Sequence, residues 1–206
     1  MRWLRNSSGQ RKYRADPWSK EAMAVARWVW IPTNESCPMQ RMSKSSFCRA
    51  MQQQGQSRIF MVGDSLSFNQ FESLYNLVSD EALPDRWLTD QRQVPGTQAT
   101  IRCPKDLPPV VLQYVRNDEL SIQPWHTPWK QGRYSFPWVF EFLQSPQPTL
   151  LILNTGLHSH TFAAFKLYMD RLAKWLNTSA VHSRTRDTII FRTSVPGHPH
   201  CSRGLK

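Results

Sequence analysis

The sequence predicts an α/β domain built on a mainly parallel sheet. Residues 59–62 and 150–153 are short apolar runs of the kind found in buried parallel strands, and 188–192 is a third predicted strand. Apolar residues at helical spacing follow the first two runs. The resulting order of strand, helix, strand, helix and strand favours parallel strands joined by crossover helices.

The N-terminal part of the chain carries few signals of regular structure. Residues 1–20 are polar and basic, and we expect them to form a poorly ordered lead-in to a single domain of residues 21–206. An extended, aromatic-rich segment with Trp28 and Trp30 comes next, and these side chains are more typical of packing than of binding. A short helix is expected at 46–53.

The remaining elements follow from periodicity. The helix after 59–62 is predicted to bury Phe68, Phe71, Leu74, Tyr75 and Val78. Strands are expected at 100–103 and 110–115, and the stretch 121–138, rich in proline and aromatics, is interpreted as a loop. The helix after 150–153 is predicted to bury Phe162, Phe165, Met169, Leu172 and Leu176.

Charge and hydropathy exclude some partners. The formal net charge is +11, but the basic residues are dispersed apart from a loose N-terminal cluster, and no nucleic-acid motif accompanies them. We therefore predict no nucleic-acid partner. No run reaches the roughly 18 apolar residues that span a membrane, so no membrane segment is expected in this chain. An anchor in a longer product stays open.

Cysteine and histidine patterns give no metal signature. The four cysteines form no C-x-x-C pair, and no carboxylate or cysteine completes a ligand set with the His-x-His pairs. We therefore predict no metal site. Disulfides are compatible with the sequence, but their pairing is not readable from it. Three N-x-S/T sequons favour a secretory lumen weakly.

Polar residues gather at the predicted carboxyl ends of the three strands, where parallel sheets hold their sites. They are Gly63, Asp64 and Ser65 after the first strand, Asn154, Thr155 and Gly156 after the second, and Arg192, Thr193 and Ser194 with His198 nearby after the third. Because these strand ends meet at one edge of a parallel sheet, we expect the residues to converge there.

A serine at a strand-to-helix turn is suited to nucleophilic catalysis. Its hydroxyl projects clear of the sheet, and the helix N-terminus offers backbone N–H groups to an oxyanion. Gly63 permits a tight turn, and the Asn154 amide is placed to donate to the same oxyanion. The spacing supports equally the alternative that Ser65 only caps the helix, with the Asp64 carboxylate interacting favourably with the positive end of the helix.

A serine nucleophile also needs a base. The His-x-His pairs at 158–160 and 198–200 both follow predicted strand ends, so either pair can approach Ser65. Each histidine taken alone is more typical of a polar loop than of catalysis.

Four blocks in order give the chain a family resemblance. "GDSLSFNQFESL", preceded by "RIFMV", resembles the GDS block of the trichome-birefringence-like and related polysaccharide O-acetyltransferases, the PC-esterase branch of the SGNH hydrolases. "WVWIPTNESCPM" resembles the family's W-x-W-x-P…C segment. "LLILNTGLHSH" is similar to its strand ending in N-T-G, and "IIFRTSVPGHPHC" to its later strand with F-R-T and a nearby histidine. The match spans residues 13–201.

The resemblance implies a three-layer SGNH-hydrolase-like fold and transfer of an acetyl group, through an acetyl-Ser65 intermediate, to a polysaccharide or glycan hydroxyl. The Ser65 backbone N–H and Asn154 would stabilise the oxyanion, with Gly63, Asp64 and Gly156 supporting the site. The resemblance implies no bound cofactor, an acetyl donor yet to be identified, and a location in the Golgi lumen or secretory pathway.

One departure from the family pattern bears on activity. The family takes its catalytic aspartate and histidine from a C-terminal D-x-x-H motif, and no aspartate here has histidine three positions later. We therefore expect a domain that lacks this segment, with His198 as the candidate substitute base.

Two other functions stay open. The same acyl-serine would serve a carbohydrate or acetyl esterase, with water as the acceptor. The absent D-x-x-H also suits a catalytically inactive glycan-binding remnant, in which loop aromatics stack on sugar rings: Trp125, Trp129, Tyr134 and Trp138.

Overall fold

A computed structural model of the chain describes residues 2–5, 28–31, 42–81, 96–123, 127–130, 133–155 and 161–193. Its strands are β1 (Arg2–Arg5), β2 (Trp28–Ile31), β3 (Arg58–Gly63), β4 (Gly96–Ile101), β5 (Val110–Arg116), β6 (Thr127–Lys130), β7 (Arg133–Ser135), β8 (Thr149–Thr155) and β9 (Thr188–Thr193). Its helices are α1 (Lys44–Gln53), α2 (Ser65–Val78), α3 (Val139–Gln144), α4 (Phe162–Leu176) and α5 (Ser179–His182).

The centre of the fold is a five-stranded sheet in the order β4-β5-β3-β8-β9. Strands β5, β3, β8 and β9 run parallel, and β4 is an antiparallel edge strand beside β5. This confirms the predicted α/β class with a mainly parallel sheet. All three predicted strands used for that prediction are strands of the sheet.

Helices cover the sheet on both faces because side chains alternate along each strand. Ile59 and Met61 of β3 point toward α1 and α2, where they pack in one core cluster. Phe60 and Val62 point the other way, toward a second cluster that contains residues of α3 and α4. All six residues of β3 are buried, which explains why this strand is a continuous apolar run. The result is a three-layer arrangement.

The predicted helix faces have different outcomes. On α2 the prediction is confirmed, since Phe68, Phe71, Tyr75 and Val78 are buried and Leu74 packs against them. On α4 the described residues cover the apolar face only from Met169 onward, and Phe162 in the first turn is 79% exposed. The predicted burial of Phe162 is therefore wrong within the described part of the chain.

The stretch 121–138 is more ordered than predicted. It contains β6 and β7, which pair with each other in antiparallel fashion. Strands of three or four residues interrupted by proline and glycine are too short to show an alternating pattern, so the loop interpretation was wrong there. Trp138 is fully buried against Trp175, which excludes the suggested role of its ring as a sugar platform. The side chains of Trp125 and Trp129 lie outside the described residues.

The N-terminal lead-in is described only at β1, which pairs antiparallel with β2. The other residues of 1–20 lie outside the described ranges. No helix in those ranges combines the length and apolarity needed to cross a bilayer.

A disulfide joins Cys48 on α1 to Cys103, which follows β4. The two cysteines are 55 residues apart in sequence, and both pack in the core cluster beneath α1 and α2. The bond therefore ties α1 to the antiparallel edge of the sheet.

We predict that loss of this bond destabilises the fold. In the chain-entropy view a loop of this length contributes about 4 kcal/mol. Urea unfolding of the Cys48→Ala/Cys103→Ala protein should therefore show a loss of about 2–4 kcal/mol. Adding reductant to the unaltered protein is the control, because it breaks the bond without changing a side chain. Alkylation of both cysteines without prior reduction would contradict the pairing.

Candidate active site

The candidate site is the turn between β3 and α2. Gly63 is the last residue of β3, Asp64 is the N-cap of α2, and Ser65 is its first residue. The Asp64 Oδ1 accepts a 2.9 Å hydrogen bond from the backbone N–H of Leu66, and Asp64 is completely buried. Because Asp64 occupies the capping position, the alternative prediction that Ser65 caps the helix is wrong.

Ser65 therefore does not use its hydroxyl to cap the helix. Its side chain is partly exposed. Among the described residues, none hydrogen-bonds to its hydroxyl or accepts from its backbone N–H. That N–H belongs to the first turn of α2, where backbone donors have no partner within the helix and the helix dipole is positive. This arrangement is the one that a nucleophile with its own oxyanion donor requires.

Gly63 allows the close approach of three segments. A methyl group built on Gly63 would overlap the hydroxyl of Ser67 and the backbone oxygen of Asn154, and it would lie 3.1 Å from the Ser67 Cβ. The Asn154 oxygen belongs to the neighbouring strand and cannot swing away. A side chain at residue 63 would therefore separate the end of β3 from the end of β8.

Strand β5 fixes the turn from the other side. The Asn117 backbone N–H donates to the Gly63 carbonyl at 3.0 Å, and the Tyr114 hydroxyl lies 3.1 Å from the Asp64 carbonyl. Burial raises the pKa of the Tyr114 hydroxyl well above its usual value, so this group stays protonated and donates. The carbonyls of Gly63 and Asp64 are thus held by donors from β5 and from the residue that follows it.

Asn154 lies at the carboxyl end of β8, beside the turn. Strands β3 and β8 pair in parallel as far as Val62 opposite Leu153, which brings the next residues of both strands together. The Asn154 side chain is fully buried, and its Oδ1 lies 3.5 Å from the Ser67 hydroxyl. Its Nδ2 donates to the Arg192 carbonyl of β9 at 2.8 Å. The structure therefore brings Asn154 to the same edge as Ser65.

Sequence reasoning missed a buried ion pair at this edge. The Arg116 Nε lies 2.9 Å from the Asp118 Oδ1 just beyond β5, and both side chains are largely buried. Asp118 also accepts from the Tyr134 backbone N–H, and its carbonyl accepts from the Thr155 hydroxyl at 2.7 Å. The pair therefore joins the ends of β5 and β8. The rule that polar residues gather at strand ends would have found it, because Arg116 directly follows the predicted strand 110–115.

Among the described residues no histidine lies near Ser65. His198 and Gly156 lie outside them. The single described histidine, His182, is exposed on α5. Two residues after His182, Arg184 donates to the Ser145 carbonyl, shortly before the amino end of β8. Helix α5 therefore lies at the amino ends of the parallel strands, whereas Ser65 lies at their carboxyl ends. In the described part of the chain, no group of three histidine, cysteine or carboxylate residues is arranged to hold a metal ion.

Fold and site together define an α/β domain that displays a serine at a strand-to-helix turn. No protein-family model matches the sequence. The chain is similar to the Arabidopsis thaliana protein named trichome birefringence-like 40, with 26% identity over 194 residues. The match covers 82% of this chain and 49% of that protein, so the chain spans about half the length of this curated relative. The structure of leucyl aminopeptidase from Leishmania major with actinonin covers 73% of this chain and 28% of that enzyme at 12% identity, with a TM-score of 0.28.

We predict that Gly63→Ala destabilises the domain by about 3 kcal/mol, because the added methyl group must displace the backbone of β8. Gly55→Ala is the matched control. Its Cβ meets open space but its φ is +65°, so it should cost only the backbone strain, about 1 kcal/mol. Urea unfolding of both variants gives the comparison. Equal losses would mean that the close approach at Gly63 is not the constraint.

Proposed function

We propose that this chain carries the nucleophile of an O-acetyltransferase that acts on a polysaccharide or glycan hydroxyl. The observation that carries the proposal is the position of Ser65. It is the first residue of α2, and Asp64 rather than Ser65 caps that helix. The motif order that resembles the trichome-birefringence-like acetyltransferases supports it, as does the similarity to a protein of that name.

The proposed reaction has two acyl-transfer steps. The Ser65 Oγ attacks the acetyl carbonyl of the donor, its proton passes to a base, and the donor's leaving group departs to give acetyl-Ser65. A glycan hydroxyl then attacks that ester, loses its proton to the base, and leaves as the acetylated sugar while Ser65 regains its hydroxyl. In each step the oxyanion would accept from the Ser65 N–H and the Asn154 amide. His198 is the candidate base.

The proposed compartment is the secretory pathway, and the Golgi lumen in particular. The disulfide between Cys48 and Cys103 supports an oxidising environment, since cytosolic thiols are kept reduced. The proposal requires no resident cofactor beyond an acetyl donor, which the assays below would identify.

We predict that Ser65→Ala abolishes both acetyl transfer and the acetyl adduct on the peptide that contains residue 65. Ser73→Ala is the matched control, because Ser73 is an exposed serine on the same helix. Mass spectrometry of the protein after incubation with acetyl donors detects the adduct, and product analysis detects the transfer. Unchanged transfer by Ser65→Ala would remove Ser65 as the nucleophile.

We predict that Asn154→Ala lowers the turnover number by about 100- to 1000-fold, the range found when one oxyanion donor is removed. The acetyl adduct should form on Ser65 more slowly but at the same position. Stability must be measured in parallel, because Asn154 is buried and bonded to β9. A slow variant that is as stable as the unaltered protein supports the oxyanion role, and an equally fast variant contradicts it.

A non-catalytic, glycan-binding function is the second candidate. It is favoured by the lack of D-x-x-H and by the position of the described histidine at the far edge of the sheet. Glycan binding that survives Ser65→Ala, with no adduct in the unaltered protein, would select this function. Acetate release without an acetylated glycan would instead select an esterase.

A further inference from the structure

Arg192, on β9, is a partly buried arginine at the carboxyl end of the sheet. Its Nη2 donates to the Asn154 Oδ1 at 3.1 Å, and its Nε is buried without a hydrogen-bond partner among the described residues. Arg116 pairs with Asp118 and Arg184 with Asp187, whereas the buried Arg58 at the start of β3 also donates to an amide oxygen, that of Gln113. Within the described part of the chain, the Arg192 guanidinium therefore has Asn154 as its hydrogen-bond partner and no carboxylate.

The contact between Arg192 and Asn154 is reciprocal. The two residues face each other in the parallel register of β8 and β9. The Arg192 carbonyl accepts from the Asn154 Nδ2 at 2.8 Å, while its guanidinium donates to the Asn154 Oδ1. A carbonyl cannot donate and a guanidinium cannot accept, so the two bonds determine which end of the amide is oxygen and which is nitrogen.

We propose that Arg192 is a positioning residue for the Asn154 amide in acyl transfer. The inference rests on the proposed function, since Asn154 matters to the chemistry only as an oxyanion donor. A cation on the amide oxygen draws electron density from the amide and makes its N–H groups stronger donors. The same bond holds the amide in one orientation before the substrate arrives, so no reorganisation is needed during the reaction.

The geometric part of this inference can be tested without any turnover. The Asn154 side-chain amide is observed by nitrogen–proton NMR and assigned by its loss in Asn154→Asp. In Arg192→Gln we expect shifted amide resonances and side-chain hydrogen exchange that is about tenfold faster. Arg171→Gln is the control, since Arg171 is exposed on α4. If Arg192→Gln does not fold, Arg192→Lys, which keeps the charge, takes its place with a smaller expected change.

The catalytic part is tested by steady-state kinetics. Arg192→Ala should lower kcat about 10- to 100-fold and leave KM within about twofold, because the residue acts on the oxyanion donor rather than on the ground-state substrate. Added guanidinium ion should restore part of kcat in Arg192→Ala and none in Asn154→Ala, an effect that lost packing alone does not produce.

The two proposals fail in different ways. Absence of an acetyl adduct on Ser65 in the unaltered protein would contradict the proposed function, while the NMR comparison would still report on the contact between Arg192 and Asn154. Identical Asn154 amide resonances and exchange rates in the unaltered protein and in Arg192→Gln would overturn the positioning inference. So would a kcat of Arg192→Ala equal to that of the unaltered enzyme.

Discussion

The backbone contact between Gly63 and Asn154 is the constraint on which the carboxyl edge of the sheet depends. With a hydrogen atom in place of a side chain, β3 stays against β8 to its last residue, and Ser67 packs into the remaining space. The chain then turns directly into α2, so Asp64 falls at the N-cap and Ser65 at the first helical position. The exposure of the Ser65 hydroxyl is therefore a consequence of the packing at Gly63, two residues earlier.

The residues around Ser65 satisfy or neutralise different groups at the carboxyl ends of the strands. Asp64 satisfies a helix N–H, donors from β5 hold the carbonyls of the turn, and Arg116 is neutralised by Asp118. Among the described residues no carboxylate neutralises Arg192. The positive end of α2 favours developing negative charge at Ser65, while the Asp64 carboxylate lies at the same turn.

Sequence patterns were sufficient for the main parallel strands and for the position of the serine, because β3 and β8 are continuous apolar runs and the carboxyl ends of parallel strands meet. Sequence patterns could not decide between two neighbouring residues that both favour the N-cap position of a helix. Asp64 and Ser65 are both good N-caps, and the choice depends on where β3 stops, which packing around Gly63 decides. The pairing of Cys48 with Cys103 depends on tertiary contact across 55 residues. The contact between Asn154 and Arg192 also depends on tertiary structure, because strands that are adjacent in the sheet but distant in sequence leave no local sequence signal.

The oxyanion donors and the base of a serine nucleophile contribute separately to its rate. In serine hydrolases the oxyanion donors and substrate binding alone retain about 10³–10⁴-fold catalysis over water after a triad member is removed. The two proposed donors come from α2 and β8, and Arg192, the proposed positioning residue, lies on β9, all within the described residues. A chain with this edge and no base would therefore show weak acyl transfer rather than none. The difference between a vestigial and a competent site is thus a difference in rate, and it rests on whether a base reaches Ser65 from the segments that follow β8 and β9.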